Sequence, residues 1–472
     1  MRKPADGRIA SVFIVLSLIL IWGHLRQFMP GRVDHHMAQS ILGVLAYGAL
    51  LRMNFLPEKM LYPVIAGLAF AAGLAIGADI IPWLFFGAVL TGIFWLAYGS
   101  IYERAGLVFG AAVFAGALLF HILLHDEGRF WTPACDALSV VPLALALALP
   151  LFWGAVSLFP AALKNKPRGR FFTGLAVAIP LLVFLLILFP SCFHDPHQID
   201  NPAVREIWLN AVMEARSLPF FWTQNPATAL FLTLPPLLAL AGCLWVLYTD
   251  KKDRALWSAF VLVLLGGLAL TFYQARTADF VLAASLAPLA WTLKSIFDRA
   301  RAFIARFKLT RRQRLAGAGG FFLLSLVLFA FALTDKNEEK TSGAAASHRC
   351  DLKAASAKLN ELPAPLTIAA YIDVGSEILF RTPHKVLAAP YHRNEDGIRA
   401  AYKILTAPDA ASARVLMKES GADILMFCDD PMNPWTKDSV FIRWLIEGNE
   451  PNWLERIGDE KYGNYLIFRK TG

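Results

Sequence analysis

The chain has 472 residues, 57% of them hydrophobic and only 17% charged, with a formal net charge of +9. A soluble chain would be near half apolar and about a quarter charged, so this composition excludes an ordinary soluble enzyme. The positive charge is not a nucleic-acid signal, because the basic residues gather in short loops between apolar blocks, the pattern of cytoplasmic loops in membrane proteins.

The apolar blocks run to roughly 17–22 residues, the length that crosses a bilayer as a helix. Taken in chain order they predict about eleven spans, near 8–25, 37–52, 60–78, 80–99, 105–124, 138–160, 171–189, 226–248, 255–273, 279–296 and 316–334. The first block lacks a small-residue cleavage site and runs into "IWGHLRQF", so it reads as a span rather than a signal peptide. The segment 279–296 is the least regular, with an Asp and a Pro in "TADFVLAASLAPLAW". If every span crosses once, Arg2, Lys3, Arg8, Arg52, Lys59, Lys164, Lys166, Arg168, Arg170, Lys251, Lys252, Arg254 and the run "KSIFDRARAFIARFKLTRRQR" fall on one side. That side is predicted to be the cytoplasm.

The specific polar segments then fall outside. "PGRVDHHMAQS" places Asp34, His35 and His36 between two spans. Ionisable groups are costly in hydrocarbon, so this trio belongs at the membrane surface or in a wet cavity. Asp with imidazole suits a divalent ion, or the helix start at Asp34 suits an anion. The alternative is a solvated interfacial loop. Gln39 and His36 would share a helix face. Asp79 in "AIGADIIPW" either completes the metal site or caps the next helix, and Asp136 in "CDALS" reads as a cap.

Further along, "NPAVREIWLNAVMEA" reads as an amphipathic helix in the interface, with Val204, Ile207, Trp208, Ala211 and Val212 on one stripe. Arg205 or Arg216 beside it are candidate phosphate ligands. In "QARTAD", Gln274 and Arg276 stand at another outer span end. Arg276 is either a snorkelling anchor or the cation for a lipid-linked phosphate. Of the five cysteines, Cys243 lies in a span, while Cys135, Cys192, Cys350 and Cys428 are external. The pairs Cys350–Cys428 and Cys135–Cys192 are candidates, and the spacing does not choose among the connectivities.

The domain plan is a helical bundle over 1–334, a polar linker over 335–349 and a small α/β domain over 350–472. In the last, "PLTIAAYIDVGSEILFRT" and "HKVLAAPYHRN" read as strands with turns, and "DILMFC" and "NYLIFRK" as strands. "DGIRAAYKILTAP" and "DAASARVLMKESGA" read as helices, the second with an Asp N-cap and a Gly stop. Tyr391, His392, Arg393 and Asn394 form a loop that is either a polar-substrate site or held by its own hydrogen bonds. The domain carries no nucleotide loop, nucleophile elbow or paired-cysteine zinc site.

This arrangement resembles the GT-C class of glycosyltransferases, multi-span enzymes with an acidic motif in the first external loop and often an external C-terminal α/β domain. More closely, "GRVDHHMAQ", "CDALS", "DNPAVREIWLNAVMEA" and "APYHRN" are similar to motifs of a bacterial inner-membrane family of that architecture, over most of the chain. The resemblance implies a multi-pass protein of the bacterial inner membrane, N-terminus cytoplasmic and α/β domain periplasmic. It implies transfer of a sugar or oligosaccharide from a polyprenyl-phosphate carrier to an acceptor. Its partners would be the polyprenyl-phosphate-linked sugar and membrane lipid, with a protein partner on the periplasmic domain. Asp34 would be the catalytic base, and Asp34, His35, His36 and Asp79 the ligands of Mn or Mg. Arg276, Gln274, Arg205, Tyr391, His392 and Arg393 would bind substrate. Members of that family carry paired acids in a loop ahead of the "DHH" loop, whereas a single span precedes it here. The expectation is a shortened member, a misassigned start, or Asp34 as the lone acid. The rival functions are a non-catalytic assembly protein and a transporter or flippase. The latter would show internal repeats and mid-membrane charges, and neither is evident.

Overall fold

The structure is a computed structural model, and it describes residues 35–194, 199, 201–209, 212, 215–249, 254–305, 350–430, 433, 435–458 and 464–471. The chain divides into two compact units. The first comprises 1–198 and 213–333, the second 199–212 and 334–472. The expected spans at 8–25 and 316–334 lie outside the described residues, as does Asp34.

The first unit is a helical bundle. Its principal helices are α1 (His36–Phe55), α2 (Leu61–Ile76), α3 (Ile81–Tyr98), α4 (Ser100–Leu124), α5 (Val140–Leu158), α6 (Pro167–Leu188), α7 (Pro226–Thr249), α8 (Arg254–Tyr273) and α9 (Ala278–Ala305). They coincide with the nine expected spans from 37–52 to 279–296. Among the described residues, seven helices, from α3 to α9, are long and apolar enough to cross a bilayer, which marks the chain as a multi-pass membrane protein. The irregular segment at 279–296 forms the longest helix among the described residues, 28 residues. Pro288 is accommodated inside it, and Thr292 Oγ1 donates to the Pro288 carbonyl at 2.8 Å.

Small residues set the packing. A Cβ on Gly67 of α2 would come within 2.7 Å of the Phe109 carbonyl oxygen on α4, so the two backbones meet because no side chain intervenes. Gly99 joins α3 to α4 at φ +90, a conformation costly for any other residue. The core between helices is aromatic, with Trp83, Trp95, Phe70, Phe94 and Phe109 fully buried.

The two ends of α3 differ in chemistry. Asp79 sits in the turn Ala78–Ile80 just before its first residue. At its far end the buried Arg170 gives two hydrogen bonds to the Leu96 carbonyl, at 2.7 and 3.1 Å, capping the helix C-terminus. Lys164 pairs there with Glu103 at 2.5 Å. The helix has 18 residues, which places these groups about 27 Å apart. Cys135 is bonded to Cys192. Asp136 does not cap α5. That helix starts at Val140, and its cap is Ser139, whose Oγ accepts from Val141 N at 3.1 Å.

The second unit is a mixed sheet with helices. Strands β1 (Thr367–Ala369), β2 (Lys385–Val386), β3 (Ile424–Cys428), β4 (Leu454–Arg456) and β5 (Tyr465–Lys470) lie in the order β2-β1-β3-β5-β4. β1 is parallel to β2 and β3, with Ile368 opposite Ile424. β5 is antiparallel to β3 and β4. The helices are α10 (Leu352–Leu359), α11 (Gly375–Arg381), α12 (Glu395–Leu405), α13 (Ala410–Glu419) and α14 (Val440–Ile446). The stretch "GSEILFR", expected as strand, is α11. Its first residue packs so closely that a Cβ on Gly375 would meet the Ala388 carbonyl oxygen at 2.0 Å. Cys350 is bonded to Cys428.

The segment 199–209 also departs from expectation. Its α-helical turn is short, Pro202–Val204, followed by a π-helical turn Arg205–Leu209. Its apolar stripe is taken up by the second unit's own core: Val204 is buried there, and Ile207 and Trp208 pack against it. The Asn201 backbone amide donates to Glu395 at 2.9 Å.

Candidate functional site

The site lies in the first unit, where the ends of several helices meet. His35 and His36 open α1, Asp79 lies in the turn before α3, and Arg276 lies in the turn Ala275–Thr277 before α9. Helix ends expose unpaired backbone groups, and side chains here take some of them up. Gln39, three residues into α1, donates from Nε2 to the Gly77 carbonyl at 2.9 Å, tying α1 to the end of α2. The Ala275 amide donates to the Arg216 carbonyl at 2.9 Å, which fixes the turn that carries Arg276.

Asp79 is the hub. Its Oδ2 lies 3.8 Å from His35 Nε2 and 3.7 Å from His36 Nδ1, and its Oδ1 lies 3.5 Å from Arg276 Nη1. One ligand atom each from His35, His36 and Asp79 falls within 4.8 Å of the others. Two ligands at about 2.1 Å from a tetrahedral ion stand about 3.4 Å apart. The observed separations therefore suit a divalent ion with small side-chain adjustments. Two imidazoles and one carboxylate leave positions open for water or substrate, the donor set of catalytic rather than closed structural sites. Asp34, adjacent in sequence, lies outside the described residues.

Beneath the trio is a cavity of about 20 Å³, lined by His36, Gln39, Ser40, Asp79, Trp83, Arg276, Thr277, Asp279 and Phe280. Trp83 stacks on Phe280 with ring centroids 4.3 Å apart. Phe280 in turn closes against Gly43, where a Cβ would lie 2.2 Å from its ring. Beyond Phe280 an apolar cavity of about 190 Å³ continues between α1, α3, α8 and α9.

Of the residues expected at the site, the structure thus brings His35, His36, Asp79 and Arg276 together. Gln274 stands at the start of the Arg276 turn, where its carbonyl accepts from Thr277 Oγ1 at 2.9 Å, and it does not line the cavity. Arg205, Tyr391, His392 and Arg393 belong to the second unit. There Arg393 donates to Tyr391 Oη at 2.8 Å, His392 stacks on Trp208 at 5.7 Å, and Asn394 Nδ2 donates to the Leu387 carbonyl at 2.7 Å. These two hydrogen bonds and the ring stack hold the loop.

Sequence reasoning missed Ser40, Trp83, Thr277, Asp279 and Phe280. A signal existed for two of them: Trp83 follows Asp79 by four residues, and Ser40 follows His36 by four, so each pair shares a helix face.

The fold has solved counterparts. The archaeal oligosaccharyltransferase AglB from Archaeoglobus fulgidus, in complex with an inhibitory peptide and a dolichol-phosphate, superposes with a TM-score of 0.60 at 16% identity, over 89% of this chain and 57% of that one. The Archaeoglobus fulgidus oligosaccharyltransferase in complex with Zn and sulfate gives a TM-score of 0.52 at 16% identity, over 89% and 55%. The chain thus spans just over half the length of these proteins. The architecture is GT-C-like, as the resemblance in the motifs implied. At this identity the likeness defines the fold and not the reaction. No protein-family model and no curated protein sequence matches the chain.

Proposed function

We propose that the protein is a membrane glycosyltransferase that moves a sugar or oligosaccharide from a polyprenyl-phosphate carrier to an acceptor on the periplasmic side. The observation that carries this reading is the convergence of His35, His36 and Arg276 on Asp79, beside a small cavity that His36, Asp79 and Arg276 line. A neighbour of the same fold is complexed with a dolichol-phosphate, and another with Zn. Both ligands are of the kinds this site suits.

His35, His36 and Asp79 would hold the divalent ion, zinc or manganese by their ligand types. Bound there, the ion supplies positive charge where negative charge develops on a departing phosphate. Arg276 clamps that phosphate, its guanidinium held in the site by Asp79. Asp34 takes the proton of the acceptor. The sidedness is supported by the basic residues at the opposite end of α3 and by the two disulfides, which belong in an oxidising compartment.

The test is thermal unfolding of the detergent-purified chain with polyprenyl phosphate, with and without Mn²⁺ or Zn²⁺, beside Asp34→Asn and Asp79→Asn. A ligand at 100 times its dissociation constant stabilises the folded state by about 2.7 kcal/mol. A metal-dependent rise in midpoint that is lost in the variants supports the transferase. No shift with any carrier or metal would sink it in favour of a non-catalytic assembly protein.

A further inference from the structure

Buried polar atoms without partners are uncommon in folded proteins, and one of them lies outside the Asp79 site, at the C-terminal end of α4. His121 stands in the last turn of that helix and is fully buried. Its Nε2 donates to the Phe130 carbonyl at 2.9 Å, since a carbonyl only accepts. A neutral imidazole carries one ring proton, so Nδ1 is left as a bare acceptor. That atom is buried with no hydrogen-bond partner among the described residues.

His125 stands four residues on, directly after the helix. Its backbone amide keeps the helical bond to the His121 carbonyl at 3.2 Å, and its Nδ1 donates to the same oxygen at 3.1 Å. Its bare nitrogen is therefore Nε2. Each ring thus commits one nitrogen to a backbone carbonyl and leaves a lone pair on the other. Metal-binding histidines are held in this way, because the outer bond fixes the tautomer and the ring orientation. A spacing of four places both side chains on one helix face, as in the zinc-binding pairs of metalloprotease helices. The ring centroids lie 4.5 Å apart, with 35° between the planes. Two imidazoles bound at about 2.1 Å to one ion, about 90–110° apart, hold their centroids about 4.6–5.3 Å apart. A slight parting of the rings therefore admits an ion. A merely structural histidine at 121 needs only the Phe130 bond, which leaves the buried Nδ1 unexplained.

We infer that His121 and His125 form a second metal site, separate from the one at Asp79, for a late first-row divalent ion of the zinc class. Imidazole nitrogen suits zinc, copper and nickel, whereas magnesium and calcium take oxygen ligands. The turn that follows carries exposed Asp126 and Glu127 against Arg129, a balance that favours a cation. The remaining coordination positions fall to water. An ion here braces the end of α4 and, through the Phe130 carbonyl, the segment that leads to Cys135. The inference stands without the carrier reading.

The experiment is calorimetric titration of Zn²⁺ into the full chain in detergent near neutral pH, in the wild type and in Asp79→Asn. Two variants are then made in the Asp79→Asn background. His121→Gln keeps an N–H for the Phe130 carbonyl, and His125→Asn keeps one for the His121 carbonyl, so each removes only the bare nitrogen. The wild type should bind two ions and Asp79→Asn one. Each histidine variant should weaken that remaining ion by more than about tenfold, with the metal-free thermal midpoint unchanged. Absence of zinc binding in Asp79→Asn overturns the second site. So does an affinity that neither histidine variant alters, whatever happens to the midpoint, because a structural role alone would leave it so. Zinc bound as tightly by Asp79→Asn as by the wild type, with one ion in each, and lost in the histidine variants, supports the second site and removes the metal from Asp79.

Discussion

Asp79 faces two imidazoles through one oxygen and a guanidinium through the other. Its two oxygens thus serve different partners, and substitutions should separate them. Asp79→Asn removes the anionic ligand and is expected to weaken Zn²⁺ or Mn²⁺ binding by more than about 100-fold, since even outer partners of metal ligands are worth about 10–100-fold. Isothermal titration reads this directly. Arg276→Lys keeps the charge and loses the planar fork. It should weaken polyprenyl phosphate binding by about tenfold while metal affinity stays within a factor of about three. Metal affinity falling as far as in Asp79→Asn would show instead that Arg276 shapes the ion site. His35, His36, Asp79 and Arg276 were legible because charged and imidazole groups at span ends stand out from apolar sequence. Trp83 and Ser40 carried only the four-residue spacing from Asp79 and His36, a weak signal because both are ordinary residues of a buried helix face until neighbours are known.

Local chemistry governed several helix boundaries. Asp409 caps α13 through a 2.7 Å bond from the Ser412 amide, as its Asp-to-Gly pattern predicted, and Gly421 at φ +70 ends it. The bond from the Ser412 amide lowers the Asp409 pKa from its usual value. Its contribution to stability is therefore present above the ordinary carboxylate range and is lost as pH falls through the lowered value. Asp409→Asn keeps an acceptor that does not titrate. The difference in thermal midpoint between it and the wild type should shrink on acidification. A difference independent of pH would contradict the cap's ionic character. Gly99 ties α3 to α4 in a left-handed conformation, so Gly99→Ala should cost about 1–3 kcal/mol in unfolding free energy. Ser139, not Asp136, caps α5, and "GSEILFR" forms α11 rather than a strand. For α5 the expected cap falls three positions from the residue that does the capping, and the bonds of Ser139 to Ala134 and Val141 decide between them. For α11 the expected element is wrong in kind, and its first residue Gly375 packs against the Ala388 carbonyl, thirteen residues further on.

At the scale of the bundle, α3 separates Asp79 from Arg170 and Lys164 by about 27 Å, close to the thickness of a hydrocarbon core of about 30 Å. One face of the membrane thus carries the candidate site and the other the basic loop. Cysteine labelling tests the orientation. Glu127→Cys should react with a membrane-impermeant maleimide in intact cells, and Lys166→Cys only after the membrane is opened. The reverse pattern would place the site in the cytoplasm and remove the periplasmic reaction from consideration.

The sequence by itself determined that this is a multi-pass membrane protein with an α/β unit, because hydrophobic length and charge asymmetry are properties of each segment alone. It also nominated His35, His36 and Asp79, with Asp34, as one candidate ligand set and Arg276 separately as a phosphate cation. That these four meet was decided only by tertiary structure. The turn before α3 and the turn before α9 reach the start of α1 through packing that spans some 240 residues, from His35 to Arg276. The same holds for the segment 199–209, whose apolar stripe reads equally well as a membrane-surface face. Its partner core is supplied by residues about 200 positions further along the chain, and an amphipathic pattern names a buried face without naming what buries it.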